Sequence, residues 1–379
     1  MSSRCGSDET VQALVELVLG RFSEIEIAGR LPQDVATAIR NSKLLRLLMP
    51  RRLGGAGGAW KAAFEAVERV AAADGSTGWS LMIGIVGNML TGYIDREEAV
   101  ELFSGSNLPY LAGVFEPRGI GQRDREGTGF RVSGRWRFAT GIHLSDWCCV
   151  GAVVSTNHLK EVRQFLAPTA DVTVHSNWNV VGLSGTGSDD VELNTTLIKC
   201  SRSFTFDDTP WPEDSFWRIP FFTVAASLMA AAVLGMSRGG LETVTSRGVG
   251  SNGGLNGFHH NPCLEVEVAT AYATVGAARA FVTESLEEID TSAREGIPPS
   301  ERERAMLWLA AIHAVQSCGT ALNLLFSGDG ASGIRRESPL QQRWRDVLAA
   351  GQHVLVARRR LEAIGRVLLG APTDAKPFL

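Results

Sequence analysis

The chain has 379 residues, of which 44% are hydrophobic and 21% charged, with a net charge of −4. That length exceeds one ordinary core, so two or three packed units are expected. The mildly acidic balance offers no general attraction for a polyphosphate, which argues against a nucleic-acid partner. From Thr10 to about Asn107 the pattern is helical. Apolar residues recur at helical spacing in Val11, Leu14, Val15 and Val18, then in Val35, Ile39, Leu44, Leu45 and Leu48. A Gly-rich break at 53–58 precedes a helix over Ala59–Ala73, and Asp74 or Ser76 is placed to cap an apolar helix running to about Leu90.

From Pro109 to about Asp208 the period shortens. The runs Phe130–Ser133, Gly134–Phe138, Trp147–Val154, Arg163–Ala167 and Val191–Ile198 are rich in Val, Phe, Trp and Thr and are separated by small polar residues. They predict a small antiparallel β unit. From Phe216 to Leu369 long helices return, at about 219–247, 262–288, 301–326 and 338–369, as in an antiparallel four-helix bundle. The expected division is an N-terminal helical domain over 1–107, a middle β-sandwich or barrel over 108–208, and a C-terminal four-helix bundle over 209–379 that carries oligomerisation. Strands segregated in the middle exclude a βαβ dinucleotide fold. Gly119-Ile-Gly121-Gln-Arg-Asp124 has Asp where a dinucleotide fingerprint needs its third glycine, and no Walker A, G-x-S-x-G or H-E-x-x-H sequence occurs.

Cysteines 5, 148, 149, 200, 263 and 318 form no C-x-x-C pair and no metal spacing with histidine, which fits reduced thiols in a cytoplasmic protein and no metal. The start MSSRCGSDET does not read as a secretory signal. Ile219–Met236 is apolar on nearly all sides. With helical flanks it is read as the core of an oligomeric bundle, a homotetramer or at least a dimer, rather than a membrane span. Between Arg335 and Arg366 eight Arg face three acids, which is either a solvated helix face or a site for an anion.

Five segments, in order and at suitable spacing, carry a resemblance. They are Pro50-Arg-Arg-Leu-Gly-Gly, Asp74-Gly-Ser-Thr-Gly-Trp79, Gly134-Arg-Trp-Arg-Phe-Ala-Thr-Gly141 with Asp146-Trp147, Trp178 to Ser188, and Pro339-Leu-Gln-Gln-Arg-Trp-Arg-Asp346 followed by His353. Together they resemble the acyl-CoA dehydrogenase superfamily, and within it the two-component (group D) reduced-flavin monooxygenases such as the dibenzothiophene and hydroxyphenylacetate hydroxylases and the nitrososynthases. The resemblance implies a mainly α fold with a central β domain. It implies FMNH2 or FADH2 from a separate NAD(P)H:flavin reductase, a small-molecule substrate, and oxygenation of an aromatic, amine or sulfur centre.

The resemblance also assigns residues. Thr140 and Gly141 would face the flavin's polar edge with a hydroxyl and a free backbone N–H. Trp178 would wall the ring, Ser188 would line it, and Arg247 would reach cofactor phosphate. His353 would hold the oxygenating species or act as a base. Asn88, where several relatives have a histidine, would polarise a substrate. The two places where dehydrogenases keep a carboxylate base hold Ala225 and Val354 here. An acyl-CoA dehydrogenase with a displaced base, or a non-catalytic flavin-binding subunit, are the alternatives. His259, His260 and His143 are further candidates.

Overall fold

The computed structural model describes residues 2–105, 109–156, 159–247 and 262–372. Six helices come first: α1 (Ser2–Val18), α2 (Phe22–Ala28), α3 (Gln33–Asn41), α4 (Trp60–Ala73), α5 (Gly75–Gly87) and α6 (Arg96–Phe103). Asp74 caps α5, its side chain accepting the Thr77 N–H at 2.7 Å, so the capping signal in the sequence holds. Seven strands follow: β1 (Leu111–Arg123), β2 (Gly129–Trp136), β3 (Trp147–Thr156), β4 (Leu159–Pro168), β5 (Thr173–His175), β6 (Asp190–Lys199) and β7 (Ser203–Phe204).

They form one sheet in the order β5-β6-β2-β1-β3-β4-β7. The sheet departs from the all-antiparallel expectation at one place, because β1 and β3 pair in parallel. After the β1–β2 hairpin the chain returns to the far edge of β1 through a turn at 137–146, and that turn becomes part of the site. Trp136, Val150 and Phe165 centre a separate core inside the sheet unit.

The last helices are α7 (Phe221–Arg247), α8 (Pro262–Arg294), α9 (Glu301–Asp329), α10 (Pro339–Ala350) and α11 (Leu361–Leu368). The expected continuous helix over 338–369 is therefore broken. Past Gly351, i→i+3 bonds from His353 N to Ala350 O and from Val356 N to His353 O tighten the chain. Arg360 Nε then donates to the Val354 carbonyl at 2.6 Å and closes the turn.

α7 is covered from within the chain. Trp60 Nε1 on α4 donates to Ser227 Oγ at 2.9 Å, and a Cβ on Gly235 would lie 2.2 Å from the Glu68 carbonyl. Backbone contact at that range admits only glycine. The most apolar window of α7 is 94% buried inside the protein, and that of α9 50%, although both helices are long and apolar enough to cross a membrane. The apolar surface that suggested a neighbouring subunit on α7 is thus covered by α4, α5 and α9 of the same chain. Phe115 of β1, Phe206, and Phe221 and Phe222 of α7 stack where the sheet meets the bundle, the closest ring centroids 4.5 Å apart.

Candidate active site

Three segments converge beside the sheet. The first is the turn after β2, fixed by an Ala139 N–H donated to the Asp189 carbonyl at 3.0 Å. Phe138 there adopts a left-handed φ of 71°, which costs about 1–3 kcal/mol for a bulky residue, yet its ring is 59% exposed. The ring meets Trp178 edge-on with centroids 6.0 Å apart, and the Arg137 guanidinium lies 5.3 Å over it. An aromatic pair held open at that cost suits the flank of a planar ligand. Thr140's N–H is bonded to the Phe138 carbonyl at 3.0 Å. The free backbone N–H of this turn is that of Gly141, which has no partner among the described residues.

The second segment is the loop 176–189. Asp189 Oδ1 accepts the Asn177 and Trp178 N–H groups, both at 2.7 Å, and Oδ2 pairs with His143 Nε2 at 2.7 Å. Trp178 Nε1 and the Thr186 hydroxyl both donate to the Leu183 carbonyl, at 3.2 and 2.8 Å. The Ser188 hydroxyl lies 2.8 Å from the hydroxyls of both Thr186 and Thr140. Thr140, Gly141, Trp178 and Ser188 are therefore brought together. Thr186 and Asp189, which the sequence reading passed over, bind them into one unit.

The third segment is α10. Arg345 Nη1 donates to the Val181 carbonyl at 2.6 Å, and a Cβ on Gly182 would meet the Arg345 carbonyl at 2.3 Å. Leu183, itself at φ 56°, donates its N–H to Asp346 Oδ1 at 2.6 Å. The other Asp346 oxygen is buried without a partner. Burial pushes this carboxyl up to about 7, with the Leu183 N–H pulling the other way and the charge of Asp74 adding to the rise. Asp74 is raised by burial as well, against the Thr77 bonds that lower it.

His353 lies in the turn after α10, not on a helix face shared with Asp346. Its ring sits edge-on to Trp79 of α5 at 5.9 Å, and Nδ1 accepts the Leu355 N–H at 3.2 Å. Burial, with the Arg360 charge adding, pushes it down to about 4. The imidazole is then neutral near pH 7, and the Leu355 bond assigns its proton to Nε2. It is a hydrogen-bond donor there.

Asn88 is fully buried just past α5. Its Nδ2 donates to the Leu45 carbonyl at 3.1 Å, which leaves only Oδ1 unpaired. Arg247 ends α7, but its side chain, like His259 and His260, lies outside the described residues. Ala225 is buried inside α7 and Val354 is 42% exposed. The open Phe138–Trp178 pair, the unpaired Gly141 N–H and the hydroxyl cluster fit an isoalloxazine ring with a polar edge.

Residues 227–358 match the family model for the acyl-CoA dehydrogenase C-terminal domain. An indole-3-acetate monooxygenase of Pseudomonas putida is 27% identical, over 97% of this chain and 95% of its own. The oxygenase component of an FADH2-dependent resorcinol hydroxylase from a Rhizobium species is 25% identical, over 91% of this chain and 89% of its own. The crystal structure of a 3-HSA hydroxylase from a Rhodococcus species superposes with a TM-score of 0.91 at 24% identity, covering 97% of each chain. The chain carries an acyl-CoA dehydrogenase C-terminal domain, has that fold throughout, and is homologous over nearly its whole length to monooxygenase components. These relatives side with oxygenation and not with the dehydrogenase alternative.

Proposed function

We propose that the protein is the oxygenase component of a two-component flavin-dependent monooxygenase of the cytoplasm. It would take FMNH2 or FADH2 from a separate NAD(P)H:flavin reductase and oxygenate an aromatic, amine or sulfur centre of a small molecule. The reduced flavin, when bound, supplies the electrons that activate O2. The observation that carries the reading is a neutral His353 with its Nε2–H open, on the segment where a dehydrogenase would need a carboxylate base. A donor of that kind stabilises developing negative charge on oxygen, whereas Val354, the next residue in the chain, and Ala225 on α7 can take no proton.

In this reading Phe138 and Trp178 flank the ring, Gly141 and Thr140 meet its polar edge, Ser188 supports Thr140, and Arg247 reaches phosphate. Asn88 Oδ1 is the group left to orient a substrate. Assembly as a homotetramer or dimer belongs to the same proposal. Rapid mixing of the protein, preloaded anaerobically with reduced FMN or FAD, against O2 tests it. A transient absorbance distinct from both reduced and oxidised flavin is expected. Direct one-phase conversion to oxidised flavin with either cofactor would overturn the reading.

A further inference from the structure

In the turn after α10 one peptide unit, Val354–Leu355, is held at both ends. Its N–H donates to His353 Nδ1 at 3.2 Å, and its carbonyl accepts Arg360 Nε at 2.6 Å. In a trans peptide these two groups point in opposite directions. The hold of Arg360 on the oxygen therefore aims the N–H at the imidazole.

Arg360 is itself placed by two further contacts. Its backbone N–H donates to the Ala357 carbonyl at 3.1 Å, and its guanidinium lies 4.6 Å over the ring of Trp308 on α9. Trp308 is fully buried, so the ring that receives the cation is packed in place. The Val356 N–H, bonded to the His353 carbonyl at 3.0 Å, keeps the turn tight around this contact.

The tautomer of His353 depends on that peptide. An N–H facing Nδ1 requires a bare Nδ1 and leaves the ring proton on Nε2. With the peptide plane turned over, a carbonyl would face Nδ1 and call for a proton there, and Nε2 would become an acceptor. A guanidinium on the oxygen opposes the flip in two ways. The flip would cost Arg360 its acceptor, and the positive charge polarises the peptide so that its N–H donates more strongly. We propose that Arg360, clamped between the Val354 carbonyl and the face of Trp308, is the positioning residue that fixes this peptide and keeps His353 presenting Nε2–H. The use made of that donor rests on the oxygenase reading above; the clamp does not.

The test reads the tautomer in the intact protein without flavin, from nitrogen-15 shifts of the histidine rings at pH 8. The chain has seven histidines, and the His353 signals are those absent from His353→Ala. Burial, with the Arg360 charge adding, pushes His353 down to about 4, so no imidazolium contributes at that pH. Wild type should carry its proton on Nε2. Arg360→Met keeps an apolar stem over Trp308 and removes donor and charge. It should lower the ratio of the Nε2–H to the Nδ1–H form about three- to tenfold, the worth of one hydrogen bond. Arg360→Lys, which keeps a cation and a donor, should hold most of the wild-type ratio. A wild-type ring protonated on Nδ1 overturns the proposal with no variant needed, and so does an unchanged ratio in the folded Met variant. Rapid mixing of the Met variant, loaded with reduced flavin, against O2 separates the two readings. A shifted tautomer with an unaltered oxygen reaction upholds the clamp and removes His353 from the function proposed above.

Discussion

Two aspartates hold the loop 176–189, Asp189 at its own end where it enters the sheet and Asp346 from the bundle, and they are satisfied to different degrees. Asp189 uses both oxygens: one takes two backbone N–H groups and the other takes His143. Asp346 uses one oxygen for the Leu183 N–H and leaves the other buried without a partner. The same residue type thus does the same job on the same loop with unequal support. The lesson is that the number of donors decides whether a buried carboxylate is a settled anchor or a group poised between protonation states. The sheet side of the site is a finished scaffold. The bundle side, with Asp346 raised by burial and His353 lowered by it, holds groups whose charge depends on their surroundings.

The largest effect should come from removing the finished anchor. Asp189→Ala leaves two backbone N–H groups and an imidazole without their acceptor. Global stability in chemical denaturation should fall by about 3–5 kcal/mol, as when one partner of a buried polar pair is deleted. A loss below about 1 kcal/mol would mean that water replaces the carboxylate freely and that the two anchors do not differ as described.

The second effect separates the aspartates by pH. Asp346 has a folded pKa of about 7, above its free value, so between about pH 4 and 7 the folded state binds more protons than the unfolded one. Stability from this group therefore falls as pH rises through that window. Between pH 5.5 and 8 wild type should lose about 2 kcal/mol relative to Asp346→Asn, whose amide cannot ionise and still accepts the Leu183 N–H. Charged groups around Asp346 are Asp74 and Glu26 from other elements and Arg343 and Arg345 from α10 itself; all four remain in the variant, so the difference isolates Asp346. Parallel stability–pH curves for the two proteins would show that Asp346 is ionised throughout and finds a partner for its second oxygen in solution.

Much of this frame was legible in the residues, and the illegible parts share a cause. Helical spacing located α4, α7 and α9 because an apolar face repeats along one element. Strand β1 was missed because Glu116-Pro117-Arg118 interrupts any alternation, and the register against β3 shifts on either side of Pro117. Thr140, Gly141, Trp178 and Ser188 were grouped through a resemblance carried by short motifs. Thr186, Asp189 and Asp346 were given no role because their function lies in partners that periodicity cannot report. Leu183 and Asp346 stand 163 residues apart. The 338–369 helix was expected to be continuous because nothing in Gly351–Ala357 forbids helix outright; the break is made by the Arg360–Val354 contact, which exists only once the turn has formed.

The smallest effect concerns His353, and there the break in the helix changes the chemistry. On a continuous helix beside Asp346 it would have been a base with a pKa near neutrality, and its removal would cost about 10²–10⁴ in rate. In the turn it is packed against Trp79, faces the charge of Arg360, and sits at about 4. Between pH 5 and 8 it stays neutral, so its Nε2–H is available throughout. Product formed per reduced flavin consumed should then show no inflection near pH 6.5 that disappears in a His353 variant. His353→Ala should lower that coupling by about five- to tenfold, the worth of one neutral hydrogen bond, and His353→Gln, which keeps an N–H donor, should restore part of it. Peroxide release should rise as coupling falls. A loss of several hundredfold, together with a wild-type inflection near 6.5, would return His353 to the role of base and show that the bound flavin reverses the effect of burial on this ring.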